Sequence, residues 1–205
     1  MRFVALYLCG LSILVFGLQG IFGTEHFVLD KWIAIYEPWR YVTAIFAHAT
    51  IGHLLSNLFA LGLFGMILEG RIGAKRVLGI FMLSGIIINL LVPYQISLGA
   101  SGAIYAILGC LILLRPGMIV WLSGMPMPMI IAGIVWLAQD VIGMFIPSNV
   151  GHLAHISGLF LGACYALFLR KRFADMPNKP LKLSPDETRI IDEWERRYMM
   201  PKKQN

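Results

Sequence analysis

Six apolar stretches alternate with charge-bearing breaks along the chain: 3–22, 51–68, 77–92, 100–114, 126–146 and 152–169. The first runs from Phe3 to Phe22 without a charge. At ~1.5 Å per residue such a run, wound as a helix, reaches across a hydrocarbon core of ~30 Å. The pattern predicts an all-α polytopic membrane protein, a bundle of six transmembrane helices. No small-residue cleavage site follows the first stretch, so it reads as an anchor rather than a removed signal peptide.

The charges set an orientation. With the N-terminus cytoplasmic, the inner side carries Arg2, then Arg71, Lys75 and Arg76, then Arg115, then Arg170, Lys171 and Arg172. The outer side carries only Lys31 and Arg40 as basic residues, both in the first loop. This asymmetry follows the positive-inside rule and places both termini in the cytoplasm. That first outer loop, 23–50, is long and aromatic. Trp32, Tyr36, Trp39 and Phe46 suit the membrane interface. Arg115-Pro116-Gly117 reads as a turn, and Pro126 and Pro128 as the start of the fifth span.

The division predicted is a membrane domain over 1–172 and a cytoplasmic tail over 173–205. In the tail, Ser184-Pro185-Asp186-Glu187 has the form of a helix start, and Ile190, Ile191, Trp194 and Tyr198 share one face of a short amphipathic helix.

Composition narrows the class. Hydrophobic residues make up 58% of the chain and charged ones 14%, which excludes an ordinary soluble domain. The net charge of +6 comes from residues beside apolar stretches, so it argues for membrane orientation and against nucleic acid as a partner. Cys9, Cys110 and Cys164 are odd in number and scattered through apolar segments. They read as buried packing residues rather than a disulfide or a metal set.

Polar side chains inside spans are costly, which makes them candidates for function. His53 and Asn57, four apart, share one face at the outer end of the second span. Ser101 and Tyr105 stand at the outer end of the fourth, and His155 near the outer end of the sixth. Alternate spans run in opposite directions, so all three sites fall on one side of the membrane. Gly99-Ala100-Ser101-Gly102 puts a serine between glycines at a helix N-terminus, where free N–H groups favour a developing negative charge. From Ser101 to Leu114 a helix rises only ~20 Å, so the serine lies below the outer surface.

Serine with histidine is a nucleophile with its base. Gly158 and Gly162 let the sixth helix approach Gly102 and Gly109 of the fourth. Tyr105 can stack on His155, and His53 and Asn57 can donate to an oxyanion beside the Ser101 N–H. Each feature also has a plainer reading, as a small-residue packing surface or a structural histidine. Their joint arrangement favours chemistry.

These residues resemble the rhomboid intramembrane serine proteases over about 35–172. Gly99-Ala-Ser-Gly102 with Tyr105 is similar to the family's nucleophile motif. His53-Leu-Leu-Ser-Asn57 is similar to its second-helix motif, and His155-Ile-Ser-Gly158-xxx-Gly162 to its general-base motif. Trp39-Arg40 and Glu69-Gly-Arg71-Ile-Gly73 resemble two further elements. The resemblance implies a Ser101–His155 dyad that cleaves transmembrane segments of membrane proteins within the bilayer, with no cofactor and no metal. It also implies a plain prokaryotic plasma-membrane form, and lateral substrate access past Phe59, Phe64, Trp136 and Phe145. Rival readings are a non-catalytic helix-binding chaperone and a transporter.

Three residues fall outside this scheme. His48 is expected to hydrogen-bond within the loop, and His152 to face the rim. Asp140, a carboxylate inside the fifth span, has three possible roles: orienting His155, lining a water path, or bonding a neighbouring helix. The implied dyad favours the last two. The His48/His53 and His152/His155 pairs also raise zinc, but no His-Glu-xx-His helix accompanies them.

Overall fold

The fourth apolar stretch becomes α5, Ser101–Leu114, and four other helices pack against it. Nine of its residues are buried: Gly102, Ala103, Ile104, Ala106, Ile107, Leu108, Gly109, Cys110 and Leu111. A helix apolar on every face is enclosed either by protein or by lipid, and the burial of α5 shows that protein encloses it. The computed structural model describes residues 3–122 and 124–173, together with the single positions Arg189 and Glu193. The amphipathic helix expected from Ser184 lies outside the described residues. By its contacts the chain divides after Phe173, and every element named below belongs to the first unit.

Around α5 stand α3 (Ile51–Ile72), α4 (Ala74–Leu91), α6 (Met129–Gly143) and α7 (His152–Phe173), while α1 (Val4–Phe22) packs on α3 and α4 and a short α2 (Arg40–Phe46) precedes α3. Among the described residues, α1, α3, α4 and the segment His152–Arg170 of α7 are long and apolar enough to cross a membrane. The apolar helices α5 and α6 are shorter, at 14 and 15 residues. Outward faces carry Leu14, Phe59, Phe160 and Phe168, each more than half exposed, as expected for a surface solvated by lipid.

The chain is not purely helical. Leu29–Asp30 (β1) pairs antiparallel with Ile96–Ser97 (β2), tying the first loop to the segment that leads into α5. A second ribbon pairs Ile119–Leu122 (β3) with Met125–Pro128 (β4). Pro126 therefore lies within a strand, whereas Pro128 ends that strand and stands as the N-cap of the fifth apolar helix, which begins at Met129. The reason is local: a residue before proline is pushed from the α region toward extended backbone, and here Met125 and Met127 both precede proline. Similarly, α6 stops at Gly143 rather than at Ile146, which precedes Pro147.

Between α1 and α3 the chain is pinned by buried polar contacts. Arg40 is only 4% exposed. Its guanidinium donates to the carbonyls of Glu25 and Val28 and pairs with Glu37. At the far end of α3, the Glu69 carboxylate accepts the N–H groups of Phe3 and Ala5, capping the first turn of α1 from another helix. The two motif elements outside the polar cluster, Trp39-Arg40 and Glu69-Gly-Arg71, thus include residues that hold the frame.

The three cysteines are free. Cys110 is buried, with its thiol 3.1 Å from the Gly162 carbonyl, and Cys9 is half-buried. Cys164 departs from the expected burial and is exposed on the outside of α7.

Candidate active site

The turn into α5 depends on Gly99, whose φ of +114° lies where side-chain-bearing residues rarely go. Its N–H donates to the Ala44 carbonyl at 2.8 Å. A Cβ at Gly99 would meet His53 Cε1 at 2.8 Å, so the His53 ring lies against bare backbone two residues before Ser101. Ser101 is the first residue of the helix, where first-turn N–H groups have no partner within the helix.

Ser101 faces α7. Its Oγ is 2.9 Å from His155 Nε2, although 54 residues separate them. The approach is made possible by glycine. A Cβ on Gly158 would meet the Gly102 carbonyl oxygen at 2.2 Å, one on Gly162 the Ala106 carbonyl at 1.9 Å, and one on Gly109 the Leu159 carbonyl at 2.3 Å. Backbone touches backbone along this crossing, which is the use of small residues between membrane helices.

One face of the His155 ring is covered. Tyr105, one turn after Ser101, stacks on the imidazole with 4.1 Å between centroids and 7° between planes. Asp140 Oδ1 lies 2.9 Å from His155 Nδ1. An ionised carboxylate only accepts, so Nδ1 carries the hydrogen, and a neutral ring then presents a bare Nε2 to the Ser101 hydroxyl. Asp140 is 3% exposed and His155 is 8% exposed, which places the pair out of bulk water. The favoured expectation set Asp140 apart from His155. The structure instead brings it onto the ring, and the bond joins α6 to α7.

His152 does more than face a rim. Its Nδ1 is 2.7 Å from the same Asp140 oxygen and its Nε2 is 3.1 Å from Ser148 Oγ. One ligand atom each from Asp140, His152 and His155 fall within 4.8 Å of one another, the one such group of metal-ligating side chains among the described residues. Position in the sequence could have flagged Asp140 and His152 as unusual. It could not have shown that both meet His155, because that depends on how α6 packs against α7.

His53 and Asn57 are placed differently from Ser101 and His155. Asn57 Nδ2 donates to the His53 carbonyl at 3.0 Å, within α3, and makes no hydrogen bond to Ser101. His53 N–H donates to Thr50, the cap of α3. Beside it His48 is 1% exposed, with its ring edge toward His53 at 4.9 Å. Gln19 clamps the His48 backbone through both its N–H and its carbonyl, and His48 Nδ1 bonds the Phe46 carbonyl at 3.0 Å. Burial, and then the neighbouring His53, lower the His48 pKa to about 4, against the opposing pull of that carbonyl. Of the aromatic residues expected at a substrate gate, Phe64 and Trp136 meet edge to face at 5.9 Å, joining α3 to α6. Phe59 and Phe145 are exposed.

Known proteins are similar to this chain in sequence. The model of the Rhomboid domain matches residues 36–172. The chain is 30% identical over 179 residues to Rhomboid protease GlpG of Klebsiella pneumoniae, covering 76% of this chain and 59% of that one. It is 32% identical over 148 residues to Rhomboid-like protease 3 of Toxoplasma gondii, covering 69% and 56%. It is 37% identical over 131 residues to Putative rhomboid protease YdcA of Bacillus subtilis, covering 60% and 63%. The aligned part is thus about half to two thirds of each relative's length. A domain match across well over half of the sequence decides the assignment: the chain belongs to the membrane-embedded rhomboid family.

Proposed function

We propose that this chain is an intramembrane serine endopeptidase, with Ser101 as nucleophile and His155 as its base. The observation that carries the reading is the 2.9 Å contact between Ser101 Oγ and His155 Nε2, made between two helices at glycine-only contacts. The three relatives named above are called proteases, which supports the same class.

In this reading Ser101 Oγ attacks the carbonyl carbon of the substrate peptide while His155 Nε2 takes its proton. The carbonyl oxygen gains charge at the α5 N-terminus, where the Ser101 N–H and the His53 and Asn57 side chains act as donors. Asn57 must turn from the His53 carbonyl to serve there. As the tetrahedral intermediate collapses, the nitrogen leaves with the proton from Nε2, and the acyl group remains on Ser101. A water then gives its proton to the same nitrogen, attacks the ester, and regenerates the serine. Throughout, Asp140 keeps the hydrogen on Nδ1, and the Tyr105 stack holds the plane of the ring.

The substrates are membrane proteins cut in or beside a transmembrane helix. A helical peptide bond is shielded, so the segment unwinds locally before it reaches Ser101. We read α5 and α6 as the fourth and fifth of six spans. At 14 residues α5 rises only ~21 Å, so its N-terminus sits beneath the outer surface and needs water access. The positive-inside pattern puts both termini in the cytoplasm. The Phe64–Trp136 contact lies where a helix entering between α3 and α6 would pass.

Labelling by a fluorophosphonate serine probe in detergent tests this. The expected result is labelling of wild type that disappears in both Ser101→Ala and His155→Ala. Folded wild type that stays unlabelled in detergent and in lipid would overturn the reading in favour of helix binding without cleavage.

A further inference from the structure

The contacts around Asp140 exceed what hydrolysis needs. One carboxylate oxygen receives two imidazole Nδ1 groups, at 2.7 Å from His152 and 2.9 Å from His155. The other oxygen, Oδ2, is buried with no hydrogen bond of normal geometry, although the Tyr105 hydroxyl also interacts with this carboxylate. Two imidazoles and a carboxylate, with one position open, are a ligand set suited to zinc.

We propose that Asp140, His152 and His155 form an inhibitory site for a divalent cation of the zinc class. The inhibitory consequence rests on the Ser101–His155 reading above, whereas the binding does not. A tetrahedral ion with ~2.0–2.1 Å bonds holds its ligand atoms about 3.3 Å apart. The two Asp140–imidazole separations open by about half an ångström to reach that spacing, and the two imidazole nitrogens, within 4.8 Å of each other, draw together around the ion. Asp140 Oδ2, which makes no hydrogen bond of normal geometry, offers a second oxygen. The ion also has a way in. His152 lines an open cleft of about 490 Å³ together with Tyr94, Phe145 and Ser148, and water from that cleft completes the coordination. On the far side of the His152 ring, Ser148 is placed to accept from Nε2–H once Nδ1 is coordinated.

Coordination would disable the base through its tautomer. In the free site the Nδ1 hydrogen of His155 faces Asp140, and the Nε2 lone pair faces Ser101. A cation on Nδ1 takes the lone pair of that atom, so the ring hydrogen moves to Nε2. No proton is gained or lost by the ring. Nε2–H then points at Ser101 Oγ as a donor and has no lone pair with which to accept the serine proton. The ion thus needs neither to reach Ser101 nor to fill the substrate path.

The test begins with purified Ser101→Ala chain, inert by design, titrated with Co2+ and followed by its visible absorption, with zinc competing the signal away. One ion per chain is expected, with affinity falling about tenfold or more in His152→Gln and again in Asp140→Asn, as for loss of a ligand or its support. Circular dichroism verifies that each variant keeps its helix content. In parallel, zinc added to wild type in chelator-treated buffer should stop cleavage and fluorophosphonate labelling. His152→Gln should raise the inhibiting concentration by the same factor as its loss of affinity. Absence of saturable Co2+ binding, or binding indifferent to both substitutions, overturns the site. Binding that leaves hydrolysis untouched overturns the tautomer lock. Wild type that is inactive without metal overturns the protease reading alone, because the Co2+ titration still decides the site.

Discussion

The Tyr105 ring lies parallel to the His155 imidazole, 4.1 Å away. The helix that begins with Ser101 therefore also carries the side chain that sets the plane of its partner. With Nδ1 held by Asp140 and one face covered by Tyr105, His155 has little freedom to rotate.

Removing the stack separates the ring from the hydroxyl of Tyr105. Tyr105→Phe keeps the aromatic face and should retain most of kcat. Tyr105→Leu loses an aromatic contact of ~0.5–1.5 kcal/mol and should lower kcat by about 3- to 10-fold. Steady-state cleavage of a transmembrane substrate in proteoliposomes distinguishes the two. Equal losses in both variants would point to the hydroxyl instead.

The α5–α7 crossing makes a stability prediction. A methyl group on Gly162 would sit 1.9 Å from the Ala106 carbonyl oxygen, which belongs to backbone and cannot swing aside. Gly162→Ala should cost ~1–3 kcal/mol or more and separate His155 from Ser101, so that the melting temperature and labelling fall together. Gly17 in α1 has nothing within 4 Å of its Cβ position. Gly17→Ala is the matched control and should leave both unchanged or raise stability slightly.

His48 predicts a pH dependence of stability. Its pKa is lowered from 6.5 to about 4 in the folded protein, so the unfolded chain binds the proton more tightly. Stability from this group is complete above pH 6.5, declines as pH falls through the interval to about 4, and changes no further below it. The full loss is ~3 kcal/mol. Thermal unfolding in detergent across this range should show a falling midpoint in wild type and a shallower fall in His48→Gln. Parallel curves would assign the slope to other groups.

Much of this arrangement was legible in the chain, and the reasons for what was not are local. A serine between glycines at the head of an apolar run marks the start of α5, and Gly158 and Gly162 mark the face that meets it, because only glycine permits that approach. The shortness of α5 was also visible, from Ser101 to Arg115. The β3–β4 ribbon was not, since its residues are as apolar as a span and prolines often begin helices. The effect of each proline on the residue before it decided for extended backbone. Asp140 stood out as a charge in an apolar segment, yet its partners lie 12 and 15 residues away. Their meeting depends on the angle at which α6 returns to α7.

The same carboxylate allows a test of how the base is held. A Ser–His pair without a carboxylate would leave the tautomer to burial and to Tyr105. Here Asp140 Oδ1 sits 2.9 Å from Nδ1, and as an ion it can only accept, which forces the hydrogen onto Nδ1 and the lone pair toward Ser101. Asp140→Asn keeps the size but offers Nδ1 either a donor or an acceptor, so a fraction of rings carry the hydrogen on the wrong nitrogen. The expected outcome is a fall in kcat of ~10²-fold or more with KM little changed, and fluorophosphonate labelling slowed in proportion. A purely structural role for Asp140 would instead lower the melting temperature and the amount of folded protein, leaving kcat per folded chain intact. Labelling at the wild-type rate in folded Asp140→Asn would show that burial and the Tyr105 stack hold the tautomer without the carboxylate.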